Sequence, residues 1–388
     1  MEKRGVAVVR WRRRIAYLLA LLCFALINIP PVRSLLTSAG KRWLFIFLLA
    51  TSLSYLLGPA TRWLAQRTGI LDLPDLRKVH KNPTPLLGGL GIFAAFFLAL
   101  VSNQILSPAV NSILFGGVLM TLVGAIDDKY ELPASLKLGV QVVAVGGLII
   151  SGVYLRLLPQ TPVGNVVNYT LTFLWIVGIT NALNFLDGMD GLATGLSAII
   201  AFFLGMVAFQ TRQAFFGWMS IALMGACLGF LPYNFRRSKP AEMFLGDSGS
   251  TFLGFTLSAL AVAGEWSETS AVVSFAAPLL IFSVLIFDMI HITVTRIASG
   301  NVRSFQQWIS YVGRDHLHHR LRALLQDDKR AVLLIYSWAT CFGIAAVVLR
   351  NARILDAILL IVQAILLTLV FTVLELEGNR WISRRRAR

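Results

Sequence analysis

The stretch N-A-L-N-F-L-D-G-M-D-G-L-A-T-G sets Asn181, Asn184, Asp187 and Asp190 three residues apart, at the foot of one apolar run and the head of another. Such spacing puts Asn184 and Asp187 side by side on one helical face. Gly188 and Gly191 let a bulky anion approach the backbone. Oxygen donors of this kind suit a hard divalent cation, and ionisable groups beside membrane-length apolar runs usually mark a substrate or ion site. If Asp187 merely capped the next helix, Asn184 and Asp190 would be left without a task. Asn181 reads as structural.

Four further stretches carry comparable side chains. In G-A-I-D-D-K-Y-E-L-P, the adjacent Asp127 and Asp128 either bind a cation or simply end a helix before Pro133; Lys137 follows as a donor for substrate. In F-L-G-D-S-G-S, Asp247 opens an apolar helix, where it either caps backbone amides or binds metal. Phe244, three residues earlier, offers a ring to stack on a nucleobase. The loop D-L-P-D-L-R-K-V-H-K-N-P-T-P brings Arg77, Lys78, His80 and Lys81, donors either for substrate phosphates or for anionic lipid head groups. Finally, G-R-D-H-L-H-H-R-L gathers His316, His318 and His319 with Arg314 and Arg320. Histidines at i, i+2 and i+3 put at most two on one helical face with no cysteine near, so phosphate contact suits them better than zinc. Just before them, Phe305, Trp308, Ile309 and Val312 follow the i, i+3, i+4, i+7 pattern of a helix lying on a membrane surface. Asp288 reads as a structural partner of His291 or Arg296.

These motifs need a scaffold, and composition dictates its class. The 388 residues are 56% hydrophobic and 14% charged, with a mean hydropathy of +0.72. A soluble globular protein is excluded; an all-α, polytopic membrane helix bundle is expected, because a bilayer demands helices of about 20 apolar residues. Apolar runs fall at about 15–32, 43–60, 88–106, 112–126, 137–154, 170–186, 192–210, 214–231, 248–264, 271–290, 331–349 and 354–373, giving 11–12 transmembrane helices. The first resembles a signal peptide, but no small-residue cleavage site follows it. Cys23, Cys227 and Cys341 lie inside apolar runs, so no disulfide framework is expected.

The net charge of +16 reads as topology here rather than as nucleic-acid binding. With the Arg-rich start placed in the cytoplasm, only Arg33, Lys41, Arg42, Arg156, Arg212, Arg350 and Arg353 of the 35 Lys and Arg fall on the outer side. That bias predicts cytoplasmic termini. It also puts every acidic motif on the cytoplasmic face, at helix ends, whereas a transporter of anionic lipid-linked substrates would hold its ionisable groups near the midplane. The organisation expected is 1–42 (basic start and an extra helix), 43–375 (membrane domain) and 376–388 (basic tail).

Together, over roughly residues 45 to 375, these motifs in this order resemble the polyprenyl-phosphate N-acetylhexosamine-1-phosphate transferases. The resemblance implies an integral bacterial inner-membrane enzyme dependent on Mg²⁺ or Mn²⁺. It would move a sugar-1-phosphate from a UDP-sugar to undecaprenyl phosphate, releasing UMP and starting a cell-envelope glycan such as lipopolysaccharide or teichoic acid. On this pattern Asp127, Asp128, Asp187, Asp190, His316, His318 and His319 are catalytic. Asp247, Asn184, Asp187 and Asp128 hold the metal, and Lys78, His80, Lys137, Asn184, Phe244, Arg314 and Arg320 bind substrate. The H-x-H-H form is closer to the N-acetylglucosamine-1-phosphate branch than to the phospho-MurNAc-pentapeptide branch, the alternative enzyme reading. Asn234 stands at a nucleotide-contact position, but its spacing to Pro-Ala is longer than usual. Membrane lipids are implied partners, and a homodimer is compatible with the pattern.

Overall fold

The computed structural model describes residues 2–38, 40–74, 82–236, 239–266, 271–304, 307, 313, 315–349 and 352–386, and they are overwhelmingly helical. In chain order the helices are α1 (Glu2–Asn28), α2 (Pro30–Ser38), α3 (Arg42–Thr68), α4 (Gly88–Ser102), α5 (Pro108–Tyr130), α6 (Ala134–Ile150), α7 (Pro162–Leu186), α8 (Leu192–Gln210), α9 (Ala214–Asn234) and α10 (Asp247–Ala263). They continue as α11 (Ala271–Ile281), α12 (Ser283–Ala298), α13 (Leu317–Leu325), α14 (Asp328–Val348) and α15 (Ile354–Arg386). Two short antiparallel strands, β1 (Leu71–Asp72) and β2 (Thr84–Pro85), close the base of the first loop.

Among the described residues, seven helices are long and apolar enough to cross a bilayer, or up to nine if each bent pair is one span. The other expected spans, α4, α6 and α10, have only 15, 17 and 17 residues. At 1.5 Å per residue those reach roughly 22–26 Å, short of the ~30 Å apolar slab. α10 needs no lipid contact at all: every residue from Ser248 to Val262 is buried.

Two runs expected to be straight are broken. α1 and α2 meet at 74°, beside Pro30 and Pro31, and α11 and α12 meet at 76° around Phe282. Pro278 lies inside α11, where it cannot donate to the preceding turn, and the chain reverses one turn later. The bend splays α11 and α12 from α7 and leaves an apolar groove of about 360 Å³, lined by residues such as Leu174, Trp175, Ala182, Phe275, Leu285 and Met289.

α10 is the axis that positions the site. It packs on α5, α7, α4 and α8, so its N-terminus meets the C-terminal ends of α5 and α7. The approach to the acidic turn is tight at Gly124, where an added Cβ would lie 2.5 Å from the Asp247 carbonyl. Any side chain there would push Asp127 and Asp128 away from Asp247.

Candidate active site

At the last turn of α5, the carboxylates grip their surroundings in different ways. Asp128 accepts the backbone N–H of Asp247 at 2.7 Å and of Ser248 at 3.2 Å, so it caps α10 from a distant part of the chain. Asp127 accepts the Leu132 N–H at 2.6 Å and pairs with Lys137 at 2.7 Å. The Lys137 ammonium also lies 3.6 Å from Asp247, bridging the two carboxylates. From α7, the Asn184 amide donates to Asp247 at 3.0 Å and to the Ser250 hydroxyl at 2.9 Å. Asn184, Asp127, Asp128, Lys137 and Asp247 thus form one connected network at the junction of α5, α6, α7 and α10.

Asp187, the C-cap of α7, stands beside this network, half-buried, and no described residue donates a hydrogen bond to its carboxylate. Burial, reinforced by the charges of Asp247, Asp128 and Asp190, holds its carboxyl well above the ordinary carboxylate range. Helix polarity adds to the cost, since acids at the ends of α5 and α7 face the negative poles of those helices. One lysine does not neutralise four such carboxylates.

The cluster fits a divalent cation in a particular way. Among the described residues no three Asp, Glu, His or Cys side chains converge into a ready-made ligand set. Mg²⁺ does not require one, because it commonly takes one or two carboxylates and keeps water or substrate phosphate for the rest. Asp187 and Asp247 are the acids with capacity to spare, as both oxygens of Asp128 are engaged by backbone and both of Asp127 by Leu132 and Lys137.

Asp190 accepts the Ala241 N–H at 2.7 Å, tying the D-G-M-D-G turn to the strap between α9 and α10. Asn234 completes that tie: it is buried, accepts from the Gly191 N–H and Thr194 hydroxyl at 3.0 Å each, and donates to the Met243 carbonyl. Its amide is spent on architecture, so the nucleotide contact considered for it has no free donor or acceptor pair in this arrangement. Phe244 sits in the same strap, its N–H bonded to the Pro85 carbonyl. Asn181 pairs with Gln141 across α6 and α7.

The histidine segment packs against the same turn. His318 is buried, neither ring nitrogen has a hydrogen-bond partner among the described residues, and a Cβ on Gly188 would lie 2.5 Å from its Nε2. Burial, then the neighbouring His319, His316 and Arg322, pushes its pKa well below the usual histidine range. The folded protein therefore holds His318 neutral, while the unfolded chain takes up a proton below about pH 6.5. Stability from this group is present near neutrality and declines as pH falls from about 6.5 toward the lowered folded value. Thermal unfolding from pH 7.5 down to 5.5 checks this: the fall in Tm should be smaller for His318→Asn than for wild type.

Several residues expected in the site are placed elsewhere or not at all. Arg320 is turned into the bundle, its Nη1 2.7 Å from His291 Nε2 and 3.1 Å from Glu375 of α15, while Nε and Nη2 are buried with no partner among the described residues. Burying a guanidinium demands such a counter-charge. Asp288 partners neither His291 nor Arg296 but His316, at 2.7 Å. Lys78, His80 and Arg314 lie outside the described residues, as does most of the surface helix expected over 305–312. A cluster missed in the sequence is Glu242, which is paired with Arg13 of α1, Arg62 of α3 and Arg236. These pairs join elements up to 229 positions apart, so no local signal marks them.

Known proteins resemble this chain over most of its length. The family described as glycosyl transferase family 4 matches residues 110–265, which span Asp127 through Asp247. A probable undecaprenyl-phosphate N-acetylglucosaminyl 1-phosphate transferase of Bacillus subtilis is 34% identical over 344 residues, covering 87% of this chain and 93% of the relative. A decaprenyl-phosphate N-acetylglucosaminephosphotransferase of Mycobacterium leprae is 35% identical, covering 82% and 86%. An undecaprenyl-phosphate alpha-N-acetylglucosaminyl 1-phosphate transferase of Yersinia pestis is 28% identical, covering 81% and 85%. With relatives 34–35% identical over more than four-fifths of both chains, the chain belongs to glycosyl transferase family 4.

Proposed function

We propose that this protein transfers N-acetylglucosamine-1-phosphate from UDP-N-acetylglucosamine to undecaprenyl phosphate or a similar polyprenyl phosphate, releasing UMP. The observation that carries the reading is the under-neutralised carboxylate cluster of Asp127, Asp128, Asp187 and Asp247 at one end of an apolar groove. The groove runs along α7 to Ala182, two residues before Asn184. It offers a polyprenyl tail an apolar bed while the lipid phosphate reaches the acids. The relatives' acceptors are polyprenyl phosphates by name.

A diphosphate donor is polyanionic, so its approach to four carboxylates calls for a cation between them. We assign Mg²⁺, or Mn²⁺ in its place, to Asp187 and Asp247, with Asn184 fixing the Asp247 orientation. When bound, the ion neutralises charge developing on the leaving UMP oxygen. The protein's own residues supply orientation. Lys137 holds Asp127 and Asp247 at a fixed separation, and the His318 ring lies under the Gly188 turn, its nitrogens without a partner among the described residues. Asp127 faces the acceptor phosphate; with a phosphate second pKa near 6, much of that acceptor is already ionised at neutral pH. We assign this face to the cytoplasmic side of a bacterial inner membrane, a reading that the Lys and Arg distribution supports.

The test is UMP release by purified protein supplied with UDP-N-acetylglucosamine, undecaprenyl phosphate and Mg²⁺. Release only with a UDP-MurNAc-pentapeptide would reassign the donor. No release with any UDP-sugar, together with an Asp247→Asn variant that retains cellular function, would end the transferase reading.

A further inference from the structure

The histidine motif is held by α12 rather than by its own helix. The buried face of α12 includes Asp288, Ile292 and Arg296, spaced four residues apart and therefore in one stripe. Arg296 meets Asp315 through two parallel hydrogen bonds of 2.6 and 2.8 Å. Asp288, with no solvent exposure, accepts from the His316 ring at Nδ1 (2.7 Å) and from the Leu317 N–H (2.6 Å). Three consecutive residues, 315 to 317, are thus gripped by one helix face.

A carboxylate buried this deeply is tolerated only when its oxygens are satisfied. Oδ1 of Asp288 accepts from backbone, and Oδ2 can be satisfied only by a donor, so the proton of a neutral His316 must sit on Nδ1. Nε2 is then the unprotonated nitrogen, the one able to accept a proton or a hydrogen bond. The ring lies against Phe185, centroids 5.4 Å apart, and 6.0 Å from His318. Phe185 follows Asn184 directly in the chain, which brings His316 to the margin of the acidic cluster.

We propose that Asp288 is a positioning residue for the transfer reaction, fixing the orientation and tautomer of His316 so that Nε2 faces the substrate phosphates. This rests on the transferase reading above. An Asn at 288 cannot serve both donors: the Leu317 N–H can only donate and keeps the amide oxygen, so the NH₂ turns to His316 Nδ1 and drives that ring toward the opposite tautomer. The size and shape of the side chain stay the same. The other charged or titratable groups around the pair are Asp315, Arg296, His291, Arg320, Glu375 and His318. None of them is substituted in the variant; what His291, Arg320 and Glu375 lose is the nearby charge of Asp288.

Asp288→Asn should lower kcat by about 10²–10⁴-fold, the range seen when an orienting carboxylate is lost from an imidazole. KM for the nucleotide sugar should stay within about threefold, because ground-state binding is untouched. Asp288→Glu should recover part of the rate, and Asp288→Asn combined with His316→Gln should be no worse than His316→Gln alone. Nitrogen-15 NMR of the histidine rings should show His316 protonated at Nδ1 in wild type and at Nε2 in Asp288→Asn. Wild-type kcat in Asp288→Asn, or an equal loss in the His316→Gln background, would overturn the proposal. So would an Nε2-protonated ring in wild type. If wild type releases no UMP from any UDP-sugar, the transferase reading fails, while the NMR measurement still judges the Asp288–His316 pair separately.

Discussion

Asp187→Asn is expected to reduce UMP release by about 10³-fold, the scale of losing a group that acts on transition-state charge, while leaving the metal-free protein at least as stable as wild type. The two halves of this outcome have one cause. Asp187 stands among Asp247, Asp128 and Asp190, and its raised carboxyl range reflects the cost of burial and of those charges. Neutral Asn removes that cost. It also removes a principal oxygen donor for a cation. A residue kept for stability would show the reverse pattern, with Tm falling alongside activity.

The same shift fixes the pH dependence. A carboxyl whose folded pKa is raised binds its proton more tightly in the native state, so the contribution of Asp187 to metal-free stability is greatest at low pH. It is lost as pH rises from about 4, the unfolded value, through the raised folded pKa. A bound divalent cation needs the ionised carboxylate, so the stabilisation by Mg²⁺ should grow in the same direction. Thermal unfolding with and without Mg²⁺ at pH 5.5 and pH 8 measures it: a larger Mg²⁺-induced rise in Tm at pH 8, absent in Asp187→Asn. A rise that is equal at both pH values, or that survives in Asp187→Asn, would count against Asp187 as a metal-holding group.

What could be read in the chain beforehand follows from how each feature is encoded. Asp127, Asp128, Asn184, Asp187 and Asp247 stand out because polar side chains interrupt long apolar runs, and bilayer physics makes such interruptions expensive. Their division of labour was not legible, since Asp128 earns its role as a cap for α10 from contacts 119 and 120 positions away. Arg320 looked like a phosphate donor because its sequence neighbours are histidines; its partner Glu375 comes from the last helix. Pro278 was visible, but the 76° bend it accompanies was not, because helices often absorb a proline with a mild kink. Asp288 and Arg296, an acid and a base eight residues apart on the same face of an apolar helix, read from the sequence as partners of each other, which they are not. The pairing partners, Asp315 and His316, could only be found in three dimensions.

Gly188→Ala carries the second large effect expected, because the D-G-M-D-G turn and the histidine segment touch at that residue. The added methyl would lie 2.5 Å from His318 Nε2 and 3.2 Å from Cε1, too close for either group to remain in place. His318 has little room to yield, with 1% of its surface exposed and His319 packed at 4.1 Å between ring centroids. Either the imidazole rotates or the turn lifts, and a lifted turn carries the neighbouring Asp187 with it. Overpacking of this kind costs about 1–3 kcal/mol. A displacement near 1 Å in a reacting geometry costs about 10²-fold in rate, so UMP release should fall by that factor with only a modest drop in Tm. Gly146→Ala on α6 is the control, since its methyl would meet nothing within 4 Å. Pairing Gly188→Ala with His318→Ala should restore the lost Tm, because the collision needs both side chains, but should not restore the rate. A Gly188→Ala enzyme with wild-type turnover would mean that the histidine segment and the acidic turn move independently, and the site would have to be rebuilt without His318.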